Sequence, residues 1–492
     1  MLQLLSNFWS FMISSPTNFI LVTVLSVVFF VIAGIFLFPK LFLRNRIALA
    51  LWGKFESVAE LRKFGFLAAV FFLIIAVYWG MRPLKDGLFN AIVGMDWQPV
   101  AKWLSLVLIT PLVILYSKLI DKYPRDKVFY VLLGMYAIAT LLFMGVFMHP
   151  TIGLANKAAS STRIIGWMWY VFVESFGSLI VALFWAFSSD ITKPAAAKRG
   201  FPIIYLFGQA GNILGPWALR AKRFGFGTSA PVVGIISVLI VLIMFLFWVF
   251  NKVTPKSQME GYQAAEVADE KKVQEHKEEP GFLDGLKLLF SHGYLLGIVC
   301  IIMFFELVVT ILDFFFKVTA AAHFAGNETG LSAYLADYGV WTGIVSTLCV
   351  LLGTSAIQRK LGMTFSLLLL PILVGVAVIT LRISPVLGIA FWIMVLAKAA
   401  NYALNQPTIK QLYIPTTKDT KYKAQAWIEM FGSRGSKALG SAINFSKKFV
   451  GINLFLLVSS TISLGLVGVW LFIAVYVARV FNKAVKENKV VC

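Results

Sequence analysis

Apolar runs of about twenty residues, almost free of charge, recur along this chain and are separated by short polar turns. About twenty helical residues cross a hydrocarbon layer of roughly 30 Å, and helices buried in soluble cores are usually shorter. The runs lie near 19–38, 64–84, 101–119, 128–148, 165–187, 201–219, 231–250, 294–316, 333–355, 364–383, 386–405, 425–445 and 453–478. None shows the two-residue alternation of a lipid-embedded barrel, which leaves helices to satisfy the backbone in lipid. One long hydrophilic stretch interrupts the series, from Asn251 to about Leu283, with the run Asp269-Glu270-Lys271-Lys272 inside it. Setting the first run aside, six runs precede this stretch and six follow it. The pattern therefore predicts an all-α polytopic membrane protein of two six-helix repeats plus one extra N-terminal transmembrane helix. Its expected divisions are 1–61 (extra helix and basic connector), 62–250 (first bundle), 251–288 (linker), 289–480 (second bundle) and 481–492 (tail).

Composition agrees: the 492 residues are 59% hydrophobic and only 14% charged, which requires lipid as solvent. The net charge of +21 would suggest nucleic acid if the basic residues formed one soluble patch. They cluster instead in alternate loops, as Lys40, Arg44, Arg46, Lys54, Arg62 and Lys63, then Lys118, Lys122, Arg125 and Lys127, then Lys193, Lys198 and Arg199, and later Arg359 and Lys360. Basic loops stay on the cytoplasmic side of a membrane, so no nucleic-acid partner is expected. Continuing the alternation puts Lys410, Lys418, Lys421, Lys423 and the basic tail on that side, and an odd number of spans then puts the N-terminus outside. Arg220, Lys222 and Arg223 fall on the outer side and break the rule. Cys300, Cys349 and Cys492 are placed for neither a disulfide framework nor a metal cluster, and the four histidines have no zinc spacing, so no metal or cofactor is expected. The first run is too long for a signal sequence, with no basic region ahead of it and no Arg- and Ser-rich leader. The expected location is a bacterial cytoplasmic membrane.

The two halves echo each other. FGQAGNILG around residue 207 is matched about 224 residues later by FGSRGSKALG, aligning Phe207, Gly208 and Gly211 with Phe431, Gly432 and Gly435. With a one-residue gap Gly215 meets Gly440, and Lys193 and Lys198 have the spacing of Lys418 and Lys423. Such glycines serve close helix packing whether or not a ligand is near.

Charges inside the runs carry the chemistry, because each costs roughly 2.5–3.5 kcal/mol on insertion scales unless it meets a partner, a cavity or a substrate. Arg82, Lys85 and Asp86 close one run in MRPLKDG, Glu174 sits in the middle of another in VESFGS, Asp313 and Lys317 close a third in ILDFFFK, and Arg434 and Lys437 interrupt a fourth. Arg82, Lys85 and Lys317 could each snorkel to the headgroups, whereas a carboxylate such as Glu174 has no such reach. Arg82/Lys85 and Asp313/Lys317 end the first spans of the two repeats, so repeat symmetry brings them toward one central cavity. A cavity lined with Lys and Arg suits a polyanion, since Arg forks onto phosphate oxygens and Lys supplies a mobile point charge. Glu306 lies in the same run as Asp313, but nothing in the sequence gives it a partner, and it stays outside the expected site.

These motifs resemble the ATP/ADP translocase family of intracellular bacteria and plant plastids. MRPLKDG resembles its Arg-x-x-Lys-Asp motif, ESFGS with FWAFSSDITKPAAAKR its Glu-Leu-Trp-Gly segment and following Ala-Lys-Arg, FGQAGN its Phe-Gly-x-x-Ala-Asn, and LDFFFK its Val-Glu-x-x-Trp-Lys. Tyr338-Gly-Val-Trp341-Thr-Gly343, Tyr413-Ile-Pro415 and GSRGSK extend the likeness, which runs from about residue 62 to 480. It implies a major-facilitator-like arrangement of the repeats and a nucleotide antiporter, not an enzyme, that exchanges ATP and ADP by alternating access. It places nucleotide binding on Lys85, Glu174, Asp313 and Lys437, to which Arg82, Asn212, Lys317 and Arg434 are joined as the expected substrate-binding set. Asp313 replaces the family Glu, Gln406 stands where an Asp is usual, and Arg434-Gly-Ser-Lys437 replaces Arg-Leu-Gly-Lys. Proton-coupled import of nucleoside triphosphates, or carriage of another nucleotide, stays open as the alternative. An enzyme acting on phosphorylated lipid would need a nucleophile, an acid–base pair or a metal site, and an ATP-driven pump a Gly-x-x-x-x-Gly-Lys-Ser/Thr loop. The sequence offers neither. The expected partners are thus nucleotide and membrane lipid, with the chain acting as a monomer.

Overall fold

A computed structural model describes residues 16–46, 48–49, 53–259, 291–349, 355–416, 432–487 and 489–491. Outside the described residues lie most of the expected linker, Lys418, Lys421, Lys423, Phe431 and the first part of the run at 425–445. The described chain is almost wholly helical: α1 Pro16–Phe36, α2 Pro39–Arg44, α3 Val58–Ile92, α4 Gln98–Lys122, α5 Arg125–Met148, α6 Ile164–Asp190, α7 Pro194–Ala218, α8 Ala230–Val253, α9 Gly293–His323, α10 Glu328–Cys349, α11 Ser355–Ile383, α12 Leu387–Ala400, α13 Gln406–Leu412, α14 Ser433–Phe445 and α15 Lys447–Glu487. A helix lies on each of the thirteen apolar runs, over Ser433–Phe445 for the twelfth. Among the described residues, nine helices are long and apolar enough to cross a membrane. α7 and α10 are not among them: Gln209 and Asn212 in the one and Asp337 in the other, beside glycines, lower their hydropathy.

The helices end and bend where backbone chemistry requires it. Gly362 in α11 and Gly451 in α15 have φ of 77° and 74°, a region that side chains with a Cβ avoid, so each helix breaks sharply there before its long apolar segment. A π-helical turn over Asn401–Asn405 joins α12 to α13, and inside it the Asn405 amide donates to Asn401 Oδ1 at 2.9 Å.

Two compact units divide the described residues. The first gathers those of 1–92, 109–269 and 326–340, and the second those of 93–108, 270–325 and 341–492. The beginnings of α4 and α10 thus belong to the opposite unit from the rest of each helix.

In the first unit α3 runs along α7, and the small residues of the FGQAGNILG motif make this approach possible. A Cβ on Gly211 would stand 2.5 Å from the Phe72 carbonyl oxygen, and one on Gly215 would stand 2.2 Å from that of Ala76. The same device recurs in the second unit, where α14 lies on α9 and a Cβ on Gly440 would meet the Leu307 carbonyl oxygen at 3.0 Å. Gly435, which aligns with Gly211, has nothing within 4 Å. Aromatic layers fill out the first unit, with Phe71 stacked on Phe184 at 4.7 Å and Phe129 against Phe247 at 4.3 Å. Ile311, Phe314 and Phe455 form a buried knot in the second. α1 packs on α3 through Ile35 and Phe36 over Gly65, with Phe36 edge-on to Phe66 at 4.9 Å.

Polar ties fix both ends of α7. Near its start Arg199 Nη2 donates to Glu60 Oε1 and Glu56 Oε1, each at 2.7 Å, and Lys63 Nζ reaches the carbonyls of Ile191 and Gln258. Past its end, Arg220 pairs with Asp337 at 2.8 Å, while the Arg223 guanidinium lies 3.6 Å from the Trp217 ring centre and its Nε donates to the Trp217 carbonyl at 2.7 Å. Arg220 and Arg223, two of the three cations expected on the outer side, are therefore each held by a partner.

Because the α3–α7 contact is backbone against backbone, Gly215→Val should lower stability by about 3 kcal/mol, whereas Gly435→Ala should be neutral or slightly stabilising. Thermal unfolding of the detergent-purified variants checks the contrast.

Candidate functional site

The charges that the sequence places in lipid lie in two clusters, one inside each unit. In the first, Lys85 projects from the last third of α3 and forms an ion pair with Glu174 Oε1 of α6. Asp86 Oδ1 lies 3.9 Å from the same ammonium, and the Tyr170 ring centre is 4.1 Å from it. Only 4% of the Lys85 side chain is exposed, against 34% of Glu174. The lysine is thus enclosed by carboxylates and an aromatic face, and its partner carboxylate still reaches open space. One turn earlier on α3, Arg82 lies 4.6 Å from the Trp79 ring centre and 5.9 Å from that of Tyr78. Weakly hydrated guanidinium suits such faces. Asn212 is on α7, next to the tightly packed Gly211; its side-chain oxygen is buried with no hydrogen-bond partner among the described residues.

In the second unit α9 carries two carboxylates seven residues apart, hence on one face and about 10 Å along the axis from each other. Asp313 Oδ2 lies 3.0 Å from Lys317 Nζ and 3.5 Å from Lys102 Nζ. Glu306 Oε2 lies 3.5 Å from Lys437 Nζ, and its Oε1 is 3.2 Å from the Ser433 hydroxyl on the same helix as Lys437. Arg434 is on that helix too and is half-buried. The α14 register is held from a third element, since Trp103 Nε1 donates to the Ala438 carbonyl at 2.9 Å. Lys447 pairs with Asp96, and Lys448 lies 3.2 Å from the Trp97 ring centre.

The structure therefore pairs Lys85 with Glu174 and Asp313 with Lys317, sets Arg82 on aromatics, and joins Lys437 to a carboxylate that the sequence leaves outside the site. Glu306 had a signal: its spacing of seven from Asp313 shares that residue's helix face. Lys102 had none, because a lysine at the start of a span reads as a snorkelling end.

Charged pairs of this kind, set inside apolar helices that would otherwise expel them, fit a polytopic membrane transporter. Solved structures with a similar fold include the nucleoside transporter NupG (TM-score 0.58, 15% identity, 84% of this chain and 98% of that one) and the peptide transporter POT (TM-score 0.58, 12% identity, 85% and 95%). The family model for the TLC ATP/ADP transporter matches residues 43–383, and this chain belongs to that family. Among relatives, ADP,ATP carrier protein 3 of Rickettsia prowazekii is 24% identical over 441 residues, covering 78% of this chain and 86% of its own. The chloroplastic ADP,ATP carrier protein 2 of Arabidopsis thaliana is 25% identical over 498 residues, covering 88% and 77%.

Burial separates the two lysines that the family likeness singles out. Lys85→Ala would strand Glu174 and should cost about 3 kcal/mol; Lys437 is 51% exposed, and its loss should cost under about 1 kcal/mol. Melting temperatures of both variants, measured side by side, check this.

Proposed function

We propose that this chain exchanges ATP and ADP across a bacterial cytoplasmic membrane by alternating access, acting as a monomer in lipid. Support comes from the family to which it belongs and from one structural observation above all: Lys85, Lys317 and Lys437, cations of the type that grips phosphate, are each held by a carboxylate at Glu174, Asp313 and Glu306. A carboxylate and a phosphate group compete for the same ammonium. In the empty protein the carboxylates neutralise the lysines, and an incoming nucleotide offers phosphate oxygens in their place. Lys85, Glu174, Asp313, Lys317, Arg434 and Lys437 are accordingly the proposed phosphate-handling set, with Arg82 and Asn212 beside it.

The competition also accounts for exchange. A ligand shifts a conformational equilibrium only by its differential affinity for the states, and ion pairs that lock the empty protein in one state make reorientation depend on bound nucleotide. The proposed organisation is two six-helix bundles, 62–250 and 289–480, with the N-terminus extracytoplasmic and the linker at 251–288 cytoplasmic.

Purified protein in liposomes tests this directly. Uptake of labelled ATP should require ADP or ATP inside and should be indifferent to an imposed pH gradient. Accumulation in nucleotide-free liposomes driven by an inward proton gradient would replace exchange with proton-coupled import.

A further inference from the structure

Lys102 stands apart from the residues that the family likeness marks. It comes from the start of α4, a helix whose first residues lie in the second unit, and it meets Asp313 of α9. Lys317 meets the same oxygen, Oδ2, from one turn further along α9. Two ammonium groups from separate helices thus converge on a single acceptor atom. A third, Lys398 of α12, lies within electrostatic range of the same carboxylate, and α12 packs against α9.

A lone aspartate needs one cation to be satisfied in a membrane interior, and Lys317, one turn away on the same helix, already supplies it. A second lysine delivered by a different helix is not needed for that purpose. It has its own desolvation cost, since only 22% of its side chain is exposed. Convergent ammonium groups around one oxygen are the arrangement that binds a phosphate, whose oxygens accept several charge-assisted hydrogen bonds at once. The carboxylate occupies the position that one phosphate group would take.

We propose that Lys102 is a substrate-binding residue which, with Lys317, grips a phosphate group of the nucleotide after that group displaces the Asp313 carboxylate. The inference rests on the nucleotide-exchange reading above and extends its site to α4. Phosphate is the recognised chemistry, so the effect must grow with the charge of the phosphate chain and leave the nucleoside unaffected.

The test is equilibrium binding of ATP, ADP and adenosine to detergent-purified wild type, Lys102→Gln, Lys102→Arg and Asp313→Asn, with melting temperatures recorded for each. Lys102→Gln should weaken ATP and ADP binding about tenfold to a hundredfold, the range of a lost charge-assisted contact, with no change for adenosine. Lys102→Arg should retain most of the affinity. Asp313→Asn, relieved of the competing carboxylate, should bind ATP more tightly than wild type. Unchanged ATP affinity in folded Lys102→Gln, with wild type binding normally, would overturn the assignment of Lys102 alone. Should that variant not fold, weaker ATP binding in folded Asp313→Asn would overturn the displacement. Wild-type protein that binds neither ATP nor ADP would bring down the nucleotide reading itself and this inference with it.

Discussion

A lysine inside a membrane helix must be met by an anion or give up its charge, and this requirement organises the protein around the Lys85–Glu174 pair. Contacts of α3 with two neighbouring helices serve it. α3 must approach α7 closely through Gly211 and Gly215; α6 must present Glu174 at the level of Lys85; and Tyr170, one turn before Glu174, must offer its ring face to the same ammonium. Polar ties at both ends of α7, Arg199 with Glu60 and Arg220 with Asp337, keep these elements in register. The second unit solves the same problem with a different set, placing Asp313 and Glu306 two turns apart on α9 and drawing lysines to each.

Ion pairs in a low-dielectric setting are poor sources of stability, because desolvating both partners offsets much of the attraction. On the proposed reading, their value is that they can be traded. A carboxylate that satisfies a lysine well enough to be tolerated in lipid, yet less well than a polyphosphate does, keeps the interior ready for substrate while penalising an unpaired charge. Glu174 and Lys437 are the more exposed members of their pairs, and on the proposed exchange reading they are where substrate enters the competition. Aromatic rings lie against the Lys85 and Arg82 cations as well.

Hydropathy made most of this fold legible, since lipid allows few backbone solutions and each apolar run carries a helix. Its extension was less so: α3 reaches from Val58 to Ile92, well beyond the run at 64–84, because charged residues near its ends are paired and stay helical. The internal echo of glycines reported packing more than chemistry, with Gly211, Gly215 and Gly440 against neighbouring backbone and Gly435 against nothing. For the candidate site, cost in lipid was the signal that singled out Lys85, Glu174, Asp313 and Lys317, and the structure pairs Lys85 with Glu174 and Lys317 with Asp313. It could not choose partners across helices: Lys437 finds Glu306, and Lys102 finds Asp313, through tertiary packing that periodicity does not encode. The partners of the basic loop, Asp337 for Arg220 and Trp217 for Arg223, were likewise not legible, the first because it is distant in sequence.

The central claim is that membrane carboxylates hold the empty carrier still by occupying the cations meant for phosphate. Its most direct measurement is net efflux of labelled ADP from preloaded liposomes into nucleotide-free buffer, comparing wild type with Glu174→Gln. Wild-type protein should retain ADP until external nucleotide is added. Neutralising Glu174 frees Lys85 from its counter-ion and should open a slow leak that no longer needs external nucleotide, with ADP affinity changed by less than the leak rate. Retention of ADP by a folded, substrate-binding Glu174→Gln variant would contradict the account.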